Sequence, residues 1–342
     1  MENASSTDMW KLWLDLIVCV ALAMTQAQTA VAAEDSSTDE VVSFESHDGT
    51  FWKATLKNSA FTDLARLTIL KGRVSNHALS PGGNAVAYTR HDGSRRRSVE
   101  IADLTTGHIT RLSAIPTHTS YGPEWSNDGR RLAINTFDWK RWNVALIGAD
   151  NTNYQALDSS KAEGCMEPSW APSGQWLCCL SGAVWKIGTD GKTTRVLAAR
   201  ETIPNAILTV PRSCSVSADE DTILFEEELR DDEIPWHSGG RRVLFAVKAS
   251  GEGAHRVGPD QFWASAPHFV DKRRFLFLGF SLREHRSLLA IGGFPVMNLY
   301  LGSLDSGDAV LLRTRVREFS IARRRGLPSN PALNPTGLRP AG

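Results

Sequence analysis

The sequence predicts an all-β chain folded as a six-bladed β-propeller, from a turn phrase that recurs, a hairpin phrase that runs in step with it, and the spacing of both. The turn phrase reads Leu79-Ser80-Pro81-Gly82-Gly83, then Trp125-Ser126-Asn127-Asp128-Gly129, then Trp170-Ala171-Pro172-Ser173-Gly174. Two eroded copies follow, Val216-Ser217-Ala218-Asp219-Glu220 and Phe269-Val270-Asp271-Lys272-Arg273. With Ser80, Ser126, Ala171, Ser217 and Val270 taken as equivalent, the steps are 46, 45, 46 and 53 residues. Periods of that size belong to four-stranded blades. Proline presets φ and glycine or aspartate accepts the reversal, so each phrase marks a tight turn between two strands.

The hairpin phrase is an alternating strand, a polar reversal and a short second strand. Its copies begin at Phe51, Val99, Val144, Val184, Val243 and Leu299, which makes six outer hairpins against five inner ones. The first outer hairpin therefore lacks an inner partner upstream, and an open stack would leave strand edges unpaired. Residues 315–322 alternate as a strand does, with Val316 or Phe319 and Ile321 able to face inward. They are expected to return beside Val41-Val42-Ser43-Phe44, making the first blade a composite of both chain ends. Because no Ser-Pro-Asp-Gly turn follows Thr314, that blade is expected to hold three strands.

Pro123-Glu124-Trp125-Ser126-Asn127-Asp128-Gly129-Arg130-Arg131-Leu132-Ala133, followed by a strand with an Asp and Gly reversal, resembles the TolB-type propeller repeat, a relative of the WD repeat. The resemblance spans roughly residues 41–315 and is strongest for blades two to four. It implies a propeller working outside the cytoplasm. TolB proteins carry a separate domain ahead of the propeller, and only a few dozen residues precede the first repeat here. The expectation is a TolB-like propeller and not a TolB orthologue.

The chain ends point to export. Lys11 precedes the apolar run 16–24, and Ala30-Val31-Ala32 or Val31-Ala32-Ala33 offers a cleavage site, the order of a secretory leader. The run is too short for a permanent membrane span. An uncleaved amphipathic leader is the competing reading. The expected organisation is a signal peptide over 1–33, a linker over 34–40, the propeller over 41–325 and a proline-broken tail over 326–342. The 38 basic and 38 acidic residues cancel, so nothing in the overall charge points to nucleic acid or anionic lipid. A single propeller of this length is expected to be a monomer, with a periplasmic or secreted location.

Cleavage would leave Cys165, Cys178, Cys179 and Cys214. Cys178 and Cys179 are adjacent on one strand and must point to opposite faces. Around the turn at 171–174, Cys165 lies roughly across from Cys179, which permits a disulfide. Buried thiols packing as small apolar groups are the alternative. No C-x-x-C spacing indicates zinc.

Binding residues belong on the long, varied loops between second and third strands, all on one face of the disc. Those loops contribute Arg95, Arg96 and Arg97 within 91–98, and Trp139, Arg141 and Trp142 within 138–142. The longest spans are 226–241, holding Asp231 and Trp236, and 279–297. Exposed Trp139 and Trp142 would anchor a partner or stack on a sugar ring; alternatively each covers its own blade edge. The acidic stretch from Glu226 to Glu233 reads as a cation or basic-partner site, or as a solvated loop.

No nucleophile elbow, Walker loop or dinucleotide fingerprint is present, and Ser46-His47-Asp48-Gly49-Thr50 is a single imperfect Asp-box. A binding protein for a protein or cell-envelope polymer, without cofactor, is the expected function. A metal-dependent polysaccharide lyase or hydrolase at the central channel is the alternative. Its ligands would be drawn from His77, His118, Glu163, Asp260 and His268.

Overall fold

Apolar or alternating runs bounded by Gly-, Asn- and Asp-bearing turns set the strands, and the computed structural model pairs them almost wholly with their sequence neighbours. It describes residues 39–93, 96–117, 119–157, 164–198, 202–206, 213–230, 240–290, 293 and 295–322. The expected leader and the tail from 326 lie outside the described residues.

The described chain begins with β1 (Glu40–Ser46), β2 (Phe51–Lys57) and β3 (Ala60–Arg66). A first four-strand set follows: β4 (Val74–Leu79), β5 (Ala85–Asp92), β6 (Arg96–Asp103) and β7 (Ile109–Arg111). The next is β8 (Thr119–Trp125), β9 (Arg131–Phe137), β10 (Trp142–Gly148) and β11 (Gln155–Ala156). One parallel bridge, Arg97 to Thr119, joins these two sets into a single eight-stranded sheet. Three four-stranded antiparallel sheets come after them. They are β12 (Met166–Trp170), β13 (Trp176–Leu180), β14 (Val184–Gly188) and β15 (Thr193–Leu197); β16 (Cys214–Val216), β17 (Thr222–Arg230), β18 (Gly240–Lys248) and β19 (His255–Val257); and β20 (Phe262–Phe269), β21 (Arg274–Ser281), β22 (Asn298–Ser303) and β23 (Ala309–Arg313). A five-residue helix, α1 (Arg286–Ala290), interrupts the connection between β21 and β22.

The last strand, β24 (Val316–Ala322), returns to the beginning of the chain. It runs antiparallel to β1, with Val41 opposite Ala322 and Phe44 opposite Phe319, in a sheet ordered β24-β1-β2-β3. The ends pair as the alternation implies, but in four strands and not three. A turn phrase is unnecessary there because β24 and β1 are separate ends of the chain with no connection to make.

The residues just ahead of the turns form the core. Leu79, Trp125, Trp170, Val216 and Phe269 are all buried. Hydrogen bonds stitch them to the preceding set. The Trp125 indole N–H donates to the Ala78 carbonyl at 3.0 Å, and that of Trp170 to the Glu124 carbonyl at 3.0 Å. At Leu79 and Phe269, which stand in place of the tryptophan, a serine of the preceding set serves instead. The Leu79 N–H donates to Ser320 Oγ at 3.1 Å and the Phe269 N–H to Ser215 Oγ at 2.9 Å.

The turns explain one eroded copy. Gly83, Gly129 and Gly174 sit at φ 67°, 68° and 70°, and Glu220 takes the same left-handed position at φ 62°. That costs a residue with a Cβ about 1 kcal/mol. Glu220 uses its side chain in return. Its carboxylate accepts the Trp176 indole N–H at 2.9 Å, from the preceding sheet, and the backbone N–H of Ser173 in that sheet's first turn.

All four described cysteines are paired. Cys165, just ahead of β12, bonds Cys179 of β13, the pairing the turn permits. Cys178, pointing the other way, bonds Cys214 of the next sheet across 36 residues of sequence. Closing a loop of that length in the unfolded chain corresponds to about 4 kcal/mol. Replacing both Cys178 and Cys214 with alanine should therefore lower the denaturant midpoint without changing the strand content seen by circular dichroism. An unchanged midpoint would contradict the link.

The acidic run corrects the loop expectation. Glu226, Glu227 and Glu228 are buried within β17, so the connection to β18 narrows to 231–239, outside the described residues. The span 279–297 likewise contains the end of β21 and α1, where Leu289 packs with the stacked rings of Trp263 and Phe280.

Candidate functional site

The lead strands of four sets carry the same local distortion. β4, β8, β12 and β20 are bulged between Ser75 and Ala78, Tyr121 and Glu124, Met166 and Ser169, and Ser265 and His268. In each bulge one residue is left-handed: Asn76 at φ 47°, Gly122 at 62°, Glu167 at 53° and Ala266 at 51°. Such bulges re-aim the backbone, and their N–H groups need acceptors. A side chain of the preceding set supplies one each time. Gly122 N–H donates to Thr89 Oγ1 at 3.1 Å, Glu167 N–H to Asn135 Oδ1 at 3.0 Å and Ala266 N–H to Glu226 Oε2 at 2.8 Å.

Pro123, Pro168 and Pro267 stand at the next position and have no N–H to satisfy. In β4 that position is His77, and the bulge presents two donors. Glu318 of β24 takes both, Oε2 from Asn76 at 2.8 Å and Oε1 from His77 at 2.7 Å.

These bulged strands, with β16 and β24, line a cavity of about 290 Å³. Glu124, Glu167, Glu226, Glu318, Arg242 and Arg317 are its charged walls, and His268 also faces it. Arg242 pairs with Glu226 at 3.3 Å and Arg317 with Glu45 at 3.4 Å. Burial pushes the Glu318 carboxyl up to about 8; Glu45 and Glu167 act in the same direction and the two N–H bonds oppose it. Burial pulls the His77 imidazole down to about 4, with only the Ser43 backbone opposing. Its Nδ1 lies 3.6 Å from Glu318 Oε1, and its ring meets Phe51 edge-on at 5.3 Å.

The signs of these two shifts differ. A lowered His77 stabilises the fold above pH 6.5 and loses that contribution as pH falls toward 4. A raised Glu318 stabilises it below pH 4.5 and loses that contribution as pH rises through 8. Between 4.5 and 6.5 they offset; above 6.5 Glu318 alone titrates. Stability should then fall by about 2 kcal/mol from pH 6.5 to 8. Urea midpoints for Glu318→Gln should lack that decline, and an identical slope in both proteins would contradict it.

Of the residues proposed from sequence as metal ligands, His77 and His268 line the cavity. Asp260 does not: it is exposed and pairs with Arg256 at 3.6 Å. His118 and Glu163 lie outside the described residues. Among the described residues no group of three or more His, Cys, Asp or Glu side chains is placed to hold a metal. The sequence gives no sign that Glu167, Arg242, Arg317 and Glu318 line a cavity, and it places Glu226 in a loop. The available signal was a residue-Pro-x-aromatic spacing at Gly122, Glu167 and Ala266, which marks the bulges.

At the start of β8 and β10 and the end of β9, on the loop-bearing side, aromatic rings gather beside the cavity. Tyr121 meets Trp142 edge-on at 5.0 Å, and Trp142 lies 5.1 Å from Phe137. Trp142 is half-buried against its own sheet, whereas Trp139 is 69% exposed. Trp139 sits at φ 72° in a turn organised by Asp138, whose Oδ1 accepts the N–H groups of Lys140 at 3.0 Å and Arg141 at 2.9 Å. Those bonds hold the Asp138 carboxyl below its ordinary value. Arg97 lies over the Tyr121 ring at 5.3 Å, and Arg96 is exposed beside it. Arg95, Asp231 and Trp236 lie outside the described residues.

No protein-family model matches the chain, and no curated protein matches it in sequence. Solved structures do resemble it. A chain of the nidogen/laminin complex aligns with TM-score 0.59 and 11% identity, over 84% of this chain and 99% of that one. TolB from Acinetobacter baumannii aligns with TM-score 0.50 and 14% identity, over 84% and 67%. Puromycin hydrolase aligns with TM-score 0.51 and 14% identity, over 79% of this chain but 42% of the hydrolase. Likeness at such identities concerns the fold, which is a β-propeller.

Proposed function

We propose that this chain is an exported, non-catalytic TolB-like propeller that binds a protein or cell-envelope polymer through its loop-rich face. In this reading the strand sets are six blades, and β24 beside β1 closes the ring. Residues 41–325 are the binding domain, preceded by a cleaved leader and followed by a tail. Two disulfides suit an oxidising compartment. Among the described residues no helix is long and apolar enough to cross a membrane.

The observation that carries the reading is Trp139, a large ring held outward on a strained, hydrogen-bonded turn beside Phe137. Aromatics presented from rigid supports are what interfaces use as anchors. The alternative, a polysaccharide lyase or hydrolase with a channel metal, would need His118 and Glu163 to join His77 and His268.

Retention of the purified protein on cell-envelope material tests the proposal. Wild type should be retained and Trp139→Ala should be lost from the retained fraction, with its melting temperature unchanged. Equal retention of both would contradict the proposal. A stoichiometric divalent metal in the purified protein would favour the alternative.

A further inference from the structure

The rings beside the cavity continue into a run of cations, and the two make one surface. His91, one residue before the end of β5, is bonded to Ser75 Oγ at 2.8 Å, and its imidazole is held below its ordinary value by burial and then by Arg97 and Arg73. Arg97 in turn covers Tyr121, which abuts Trp142, which abuts Phe137 and, through it, Trp139. The surface therefore runs unbroken from Arg73 to Trp139 across two strand sets.

Its charge is one-sided. Arg73, Arg96, Arg97, Lys140 and Arg141 make no ion pair among the described residues, and Arg73, Arg96, Arg97 and Lys140 are exposed. The two neighbouring acids are already engaged. Asp92 accepts from Arg111 at 2.7 Å and from Ser98 at 3.2 Å, and Asp138 is consumed by its own turn and by Asn143 at 3.0 Å. A chain of zero net charge thus concentrates unpaired positive charge around the exposed Trp139 ring and its half-buried neighbours.

Resting on the binding function above, we propose that this surface binds an acidic polysaccharide, its sugar rings stacking on Trp139 and its carboxylates or sulfates meeting Arg97 and Arg73. A ligand read by charge alone, such as an acidic peptide, has no use for a flat ring held outward. Keeping Trp139 outward takes a left-handed backbone at φ 72° and three hydrogen bonds to Asp138, and strain of that kind collects where a ligand is held. Guanidinium groups meet planar carboxylates and sulfates with paired donors. The rings and the cations adjoin on one surface, as sugar rings and acidic groups do in a polyuronate.

Calorimetric titration of the full chain with alginate, dextran, poly-glutamate and single-stranded DNA tests the assignment. Alginate should bind, more weakly as salt is raised, while dextran, poly-glutamate and DNA bind at least about tenfold more weakly. Trp139→Ala, and separately the pair Arg73→Ala and Arg97→Ala, should each weaken alginate by about tenfold or more with unchanged melting temperature. Poly-glutamate or DNA binding as tightly as alginate and indifferent to Trp139→Ala would overturn the proposal in favour of a charge-read partner. Dextran binding equally well would overturn the role of the cations. Failure of alginate to bind while envelope material still retains the wild type would overturn this assignment alone and leave the binding function standing.

Discussion

Deleting residues 315–342 should lower the unfolding midpoint drastically or leave the chain insoluble, whereas deleting 327–342 should change nothing measurable. The first truncation removes β24 and with it buried Val316, Phe319 and Ile321. It also strips β1 of its ladder from Val41 to Ser46, and leaves the Asn76, His77 and Leu79 N–H groups without Glu318 and Ser320. Three large side chains at about 1.5–3 kcal/mol each already amount to a loss on the order of 5 kcal/mol or more. A domain is stable by about 5–15 kcal/mol, so the loss reaches the scale of the whole. Because that truncation can abolish folding outright, Phe319→Ala is the graded companion, expected to cost about 3–5 kcal/mol in urea denaturation. Near-wild-type midpoints for both would show that the chain end does not hold the fold together.

Trp170→Ala should cost about 3–5 kcal/mol. Trp170 is fully buried, donates its indole N–H to the Glu124 carbonyl and lies under the Arg131 guanidinium at 5.0 Å. Its loss opens a cavity between two sheets and orphans a carbonyl at once. Trp170→Phe keeps much of the area and isolates the hydrogen bond, for which about 1 kcal/mol is expected. Trp139→Ala is the internal comparison. The same residue type at 69% exposure should shift stability by less than about 0.5 kcal/mol. Equal costs at 170 and 139 would mean that one of the two is wrongly placed.

The sequence made the strand sets legible because each turn needs Pro, Gly or Asp at fixed offsets, and those residues repeat. The pairing of chain ends was legible too, since an odd outer hairpin and an alternating tail leave little choice. Glu226-Glu227-Glu228 misled for a physical reason: three like charges in a row hide the alternation of a strand. Only the structure brings Arg242 and the Ala266 N–H to Glu226. The pairing of Cys178 with Cys214 was equally hidden, since it depends on which faces of neighbouring sheets meet. Glu318 escaped notice because its role comes from a missing proline at His77, a difference visible only once the bulges are superimposed. The rim residues Arg96, Arg97, Trp139, Arg141 and Trp142 were picked from loop position, and their contiguity required the third dimension.

Site-specific photo-crosslinking from position 139, compared with position 130, tests the binding face most directly. Arg130 is exposed in the turn at the opposite end of β9 and makes a matched control. With the full chain on envelope material, a crosslinker at 139 should yield a discrete adduct, and one at 130 should yield none. An adduct from 130 with nothing from 139 would contradict the loop-rich face as the site of binding.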